Sequence, residues 1–126
     1  MIQLNAITLP AGLQWVDEFN WQSVMQSTQR TLAGGLVLQE RGLSAGRPIT
    51  LSGGSNHGWI SRSVLDSLYA LASVAGQTHT LSIRGATYPV RFYHEDGNAI
   101  EAEPLFPMAD PQAGDYYIAT IKLITV

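Results

Sequence analysis

From Arg47 to Val126 the chain alternates apolar and polar positions in short runs, broken once by a segment of helical period. In RPITLSG, Ile49 and Leu51 fall on one side of a strand and Thr50 and Ser52 on the other. HTLSIRG sets Leu81 and Ile83 against Thr80 and Ser82. In YPVRFYHED, Tyr88, Val90 and Phe92 alternate with Pro89, Arg91 and Tyr93. Asp96-Gly97 then predicts a hairpin turn into the next run. There Ile100 and Ala102 continue inward, and Glu101 and Glu103 face the opposite way. The last strand, 116–125, carries Ile121 and Leu123 on one face and Thr120 and Lys122 on the other. The exception is SRSVLDSLYALASVAG, where Val64, Leu65, Leu68, Leu71 and Ala72 make one apolar stripe. The spacing predicts a helix over 61–75, capped by Ser61 or Ser63 and ended by Gly76 as its C′ glycine.

The first third is less sharply patterned. Residues 2–9 predict a first strand, closed by Pro10 and Gly12. LQWVDEFNW is mixed, with Trp15, Val16, Phe19 and Trp21 as anchors. In QSVMQSTQRTL, residues 22–32, Val24, Met25, Thr28 and Leu32 would make a helical stripe. The richness in Gln, Ser and Thr favours a long, solvated strand instead. Gly34-Gly35 is a tight-turn signal, and LVLQER returns as a second strand, giving a β-hairpin over 22–41. Its two faces contrast weakly, so burial within one chain does not fix its register, and a neighbouring subunit can supply the missing contacts. GLSAGRP, GGSNHG and PLFPMADPQAG are loops. The expected fold is mainly β with one α-helix: a β-sandwich or small barrel flanked by a single helix, in one domain spanning 1–126.

Composition narrows the function classes. The chain is 45% hydrophobic, enough to fold. Only 13% of it is charged, half the usual share, so much of the surface is neutral and polar. Such a surface often lies against other subunits; drift in an ordinary soluble domain is the plain alternative. There is no cysteine, which excludes disulfides, Cys-ligated zinc and thiol catalysis. The net charge is −3, and the seven basic residues are scattered singly. Holding nucleic acid needs clustered cations, so direct binding is not expected. The N-terminus does not read as a signal peptide, and no apolar run approaches the ~20 residues of a membrane span.

Catalytic constellations are weak. His94-Glu95-Asp96 has the residue types of a metal or acid–base site, but these are also ordinary hairpin-end residues. Neighbours on a strand point to opposite faces, so His94 and Glu95 do not readily share one ion. Nothing in the spacing joins His57 to His79. Ser61 with His57 lacks a nucleophile elbow, and GGSNHG lacks the Lys and spacing of a P-loop. Glu101 and Glu103 lie about 7 Å apart on one strand face. Such a pair can serve a glycosidase, a solvated surface, or an acidic wall that does not retain a polyanion. Trp15, Trp21 and Trp59 can stack on a sugar, or anchor a core or subunit interface.

The order GRPITLSG, GWISRSVLDSLYALASVAG, HTLSIRG, YPVRFYHED, AIEAEPLF and GDYYIATIKLITV resembles the tail-tube-like domain of tailed bacteriophages. That fold recurs in tail tube proteins, distal tail proteins and lambda-like minor tail proteins. The resemblance spans roughly residues 20–126 and is one of pattern more than motif. It implies a hexameric ring of structural subunits whose paired strands line a channel for DNA, without catalytic residue, cofactor or metal. Distal tail proteins often carry a second domain; the chain stopping after the first favours a short form linking tube to tip and leaves a tube or completion role open. The implied partners are further copies of the chain, a tail tube protein and tail-tip hub proteins. DNA passes without specific binding, and no membrane is involved. The implied location is the virion, with assembly in the host cytoplasm. On this reading Gln22, Gln26, Thr28, Glu101 and Glu103 are candidates for the channel wall, and Trp15, Trp21 and Trp59 for subunit interfaces. The rival readings are a monomeric carbohydrate-binding module using surface tryptophans and, more remotely, a hydrolase using Glu101, Glu103 or His94.

Overall fold

The computed structural model describes residues 2–10, 12–95, 97–106, 112 and 114–126. Eleven strands and one helix follow in the order β1 (Ile2–Leu4), β2 (Ile7–Leu9), β3 (Gln14–Trp15), β4 (Val24–Arg30), β5 (Leu36–Gly42), β6 (Pro48–Ser52), β7 (Ile60–Ser61), α1 (Arg62–Ala72), β8 (His79–Ile83), β9 (Ala86–Phe92), β10 (Ile100–Pro104) and β11 (Tyr116–Thr125). Nine strands form one antiparallel sheet in the order β2-β1-β8-β9-β11-β6-β3, with β7 and β10 also paired to β11. Strands β4 and β5 form a separate two-stranded sheet. The molecule is mainly β with a single helix, as the residue pattern predicts.

β11 is the spine. Tyr117, Ala119, Ile121, Leu123 and Thr125 point into the core, and the residues between them are half-buried. On one flank β9 pairs with its C-terminal end and β10 with its N-terminal end. On the other flank β6 and β7 do the same. Each flank is therefore one line of chain interrupted by an outward loop, 93–99 on one side and 53–59 on the other.

The sheet curls. Trp15 on β3 and Tyr88 on β9 meet edge to face with ring centroids 6.0 Å apart. Their strands are three steps apart, about 14 Å in a flat sheet at ~4.8 Å per step. Leu65 and Leu68 of α1 are buried, and Val64, Leu71 and Ala72 pack at the edge of the same cluster. That cluster joins Leu4, Leu9, Ile49, Leu51, Leu81, Ile83, Val90 and Ile121.

Four local expectations are corrected. Residues 2–9 are two strands, because Asn5 takes a left-handed φ of 54° and turns the chain after Leu4. Asparagine tolerates that conformation at low cost. The helix stops at Ala72, before the predicted 75: both Ser73 N–H and Ser73 Oγ–H donate to the Tyr69 carbonyl, and Ser73 caps the end. Gly76, at φ +78°, turns the chain three residues past Ser73. The run around Tyr88–Phe92 does not form a hairpin with Ile100–Glu103. Both pair with β11 on the same flank, because Tyr93 N–H donates to the Lys122 carbonyl and Lys122 N–H to the Ala99 carbonyl. Asp96, the first half of the predicted turn, lies outside the described residues, as do residues 107–111 and 113 of the predicted loop. Finally, Ala102 is exposed although Ile100 is buried, since β10 runs off the core beyond its first residue.

Candidate functional site

The feature that the core does not explain is the hairpin β4–β5, which stands away from the curled sheet as an arm. Its register runs from Val24↔Gly42 to Arg30↔Leu36 without a break. All fourteen strand residues are exposed. The loop 31–35 closes with Gly34 N–H donating to the Thr31 carbonyl and Gly35 N–H to Thr31 Oγ1. Leu32 at the tip is fully exposed. A hairpin of two strands with neither face covered is marginal in water.

Paired residues of antiparallel strands share a face. One face of the arm carries Val24, Gln26, Thr28 and Arg30 beside Gly42, Glu40, Leu38 and Leu36. The other carries Met25, Ser27 and Gln29 beside Arg41, Gln39 and Val37. Gln26 Nε2 donates to Glu40 Oε1, and Arg41 Nη2 lies 3.2 Å from Met25 Sδ. The first face holds three aliphatic side chains about half exposed, Val24, Leu36 and Leu38, with the charged Arg30 and Glu40; the second holds Met25 and Val37, similarly exposed, with Arg41. Of the sequence candidates, Gln26 and Thr28 stand on the first face, and Gln22 is exposed just ahead of β4. Glu101 and Glu103 are exposed on β10, a different element, and a Lys122 ammonium stands 3.7 Å from Glu101.

Several side chains tie the root of the arm, and Arg47 is the one that joins its two legs. Arg47 lies on the outgoing leg, where its N–H donates to Thr125 Oγ1 at 2.9 Å and its carbonyl accepts from Thr125 N–H at 2.9 Å. Its guanidinium reaches back to the incoming leg and donates from Nη2 to the Glu18 carbonyl at 2.7 Å. The same group lies 4.6 Å from the Trp15 ring centroid, 5.8 Å from that of Trp21 and 5.9 Å from that of Tyr88. Arg84 also stands over Trp15, at 5.7 Å, and is ion-paired to Glu18. Asp17 fixes the incoming leg further: its carboxylate accepts Thr50 N–H at 2.8 Å and Thr50 Oγ1–H at 3.0 Å. The Nε–H of Arg47 and the Nε1–H of Trp15 are buried without a hydrogen-bond partner among the described residues. Cations close to aromatic rings, rather than a closed hydrogen-bond network, therefore occupy the centre of this cluster.

The three tryptophans separate. Trp15 is buried at 7% exposure, Trp21 is half-buried beside Arg47, and Trp59 is open at 40%. Trp59 Nε1–H donates to the Gly54 carbonyl, and its ring lies 6.0 Å from that of Tyr116, tilted by 46°. The sequence reading missed Arg47, Glu18, Asp17 and Tyr88. A signal was present: Trp15 and Trp21 precede the hairpin and Arg47 follows it, so aromatic and cationic residues bracket the arm.

The residues considered for catalysis are not assembled. No group of three or more His, Asp or Glu that could hold a metal occurs among the described residues. His57 Nδ1 contacts the Gly12 carbonyl at 3.1 Å, and Ser61 Oγ contacts Ser63 Oγ. His94 is exposed beside Phe92. The GGSNHG glycines serve close packing: a Cβ on Gly53 would meet the Gly58 carbonyl oxygen at 2.7 Å. His79 is buried, its Nδ1 2.9 Å from Asn5 Nδ2, and burial lowers its pKa below the usual 6.5. Among the described residues, no helix is long and apolar enough to cross a membrane.

No family model matches the chain, and no curated protein or solved structure matches it either.

Proposed function

We propose that this chain is a non-enzymatic structural subunit of a phage tail. Six or so copies form a ring at the distal end, joining the tail tube to tip-hub proteins and leaving a path for DNA. The observation that carries this reading is the arm: fourteen strand residues, all exposed, with a complete ladder but no packed face. A second copy is the partner that completes such an arm without another gene product. The face with three aliphatic side chains, Val24, Leu36 and Leu38, packs against the neighbour and takes Gln26 and Thr28 with it, and the face with Ser27, Gln29, Gln39 and the lone cation Arg41 is left for the lumen. A neutral or acidic wall suits DNA passage, since clustered cations would hold the duplex by counterion release. Glu101 and Glu103 are available for the same wall, and Trp59 with Tyr116 for a contact between subunits. No cofactor or metal enters this function, and its setting is the virion.

Mass photometry with negative-stain imaging of the purified chain tests it. Rings with an axial hole, appearing as concentration rises, are the expected result. A strictly monomeric species at every concentration, with arm and body both ordered, contradicts it. The exposed Trp59–Tyr116 pair favours a second reading, a monomeric carbohydrate-binding module. Glycan-array binding by the monomer, lost on Trp59→Ala, would establish that reading instead.

A further inference from the structure

We infer that Arg47 is the residue that aims the arm: it sets the direction in which the hairpin β4–β5 leaves the body, before any second copy is met. Two peptide legs carry the arm, residues 16–23 and 43–47. Left to themselves, two such legs form a hinge, because the hairpin's own ladder reaches only to the Leu43 N–H donating to the Ser23 carbonyl at 2.7 Å. At the body the legs meet the paired strands β3 and β6, where Val16 N–H and the Asp17 carboxylate bond to Thr50 and Gly46 N–H donates to the Thr125 carbonyl. In the stretch between, Arg47 is the side chain that joins one leg to the other. Arg47 spans them. Its backbone is fixed to Thr125 at the end of β11, its Nη2 holds the Glu18 carbonyl, and its guanidinium carbon lies 5.8 Å from the Trp21 ring centroid on the incoming leg. Trp15 and Tyr88, on the body, complete the socket. One planar group thus contacts both legs and the body together.

A compact ammonium cannot reproduce this. The guanidinium spreads its charge over a broad plane among the rings while Nη2 reaches the Glu18 carbonyl, whereas lysine offers one compact charge. The function of this cluster follows from the arm's exposure. An arm already aimed loses less orientational freedom on docking than a swinging one, so preorganisation favours association. The consequence for rings rests on the assembly reading, but the aim of the arm does not, and it is measured on the isolated chain.

The absence of cysteine makes the measurement clean. Spin labels are placed at Ser27→Cys, in the middle of β4, and at Ser63→Cys, on the exposed side of α1, and the distance distribution is recorded on dilute monomer by pulsed dipolar spectroscopy. The expected result is one narrow peak for the otherwise native chain. Arg47→Gln and Arg47→Lys should both spread it over many distances, while melting of the body remains cooperative. Arg84→Gln, which removes the ion pair to Glu18 but leaves the socket's central plane, should keep the peak. If Arg47→Gln does not fold, Trp21→Leu takes its place, with spreading again expected. A peak that stays narrow in the Arg47 variants, or in Trp21→Leu where it replaces them, overturns the inference, as does a broad distribution in the unmutated background. If rings fail to form while the native peak is narrow and Arg47→Gln spreads it, the aiming role stands and the assembly reading falls.

Discussion

The body and the arm are both antiparallel β, yet they obey different economies. In the body every strand of more than two residues buries at least one side chain, and β11 buries five in strict alternation. The register of β11 is therefore pinned: a slip of one residue would turn Ile121 and Leu123 to solvent. In the arm no residue is buried, and a slip of one would cost little beyond its own ladder bonds. The body is specified by its own core. The arm has its geometry handed to it at the root and, on the proposed function, completed by another copy. An apolar residue in the two regions should consequently do different work, stability in one and association in the other.

The strongest test of that division is in the core. Leu68 is fully buried on α1 against the sheet. Leu68→Ala should lower unfolding free energy by about 2–5 kcal/mol, the usual range for a large-to-small core change. Chemical denaturation read by tryptophan fluorescence checks it, and an unchanged midpoint would refute the packing of the helix.

A second, smaller effect involves the body alone. His79 is buried with its Nδ1 facing the Asn5 amide nitrogen. The Asn5 amide is fixed in that orientation because its Oδ1 accepts from Thr80 N–H at 2.9 Å. His79 must therefore be neutral with Nδ1 as the acceptor, which agrees with the lowering of its pKa by burial. On acidification through the ordinary value of 6.5 the unfolded chain takes up the proton first. The unfolded state then binds more protons than the native state, so stability falls as pH drops, and levels off below the lowered native pKa. Arg91 and His94 line the small pocket beside His79, so their charges also bear on it. Melting temperature recorded from pH 7.5 downward should decline in the native chain and decline less in His79→Gln. Equal slopes would contradict the assignment.

The smallest effect on stability should come from the arm. Leu38→Ser on the isolated chain should change unfolding free energy by no more than about 0.5 kcal/mol, as for an exposed site. The same substitution should weaken ring formation, and Gln39→Ser on the opposite face should leave it intact. Analytical ultracentrifugation over a concentration series reads both. Equal behaviour of the two variants would remove the distinction between the faces.

These contrasts also explain what the residue pattern made legible. Period-two alternation in 48–52, 79–83, 88–92 and 116–125 marked the body strands, because each has one face against the core. The Leu65–Leu68 stripe marked the helix for the same reason. The hairpin was legible from composition and from its glycines, although no burial periodicity supports it. What was not legible was tertiary pairing. Asp96-Gly97 sits between two alternating runs, but β11 is long enough to pair with both of them on one edge, which local sequence does not reveal. The socket at Arg47 was hidden because Glu18 and Tyr88 lie 29 and 41 positions from it in the chain.

The central claim is that the arm is completed by a second copy, and hydrogen exchange by mass spectrometry measures it most directly. In the isolated chain the aimed arm still opens locally more readily than the core, so amides of β4 and β5 should exchange faster than those of β11. In assembled rings the β4 and β5 amides should become as slow as those of β11. Strong and equal protection of the arm in a proven monomer would contradict the account.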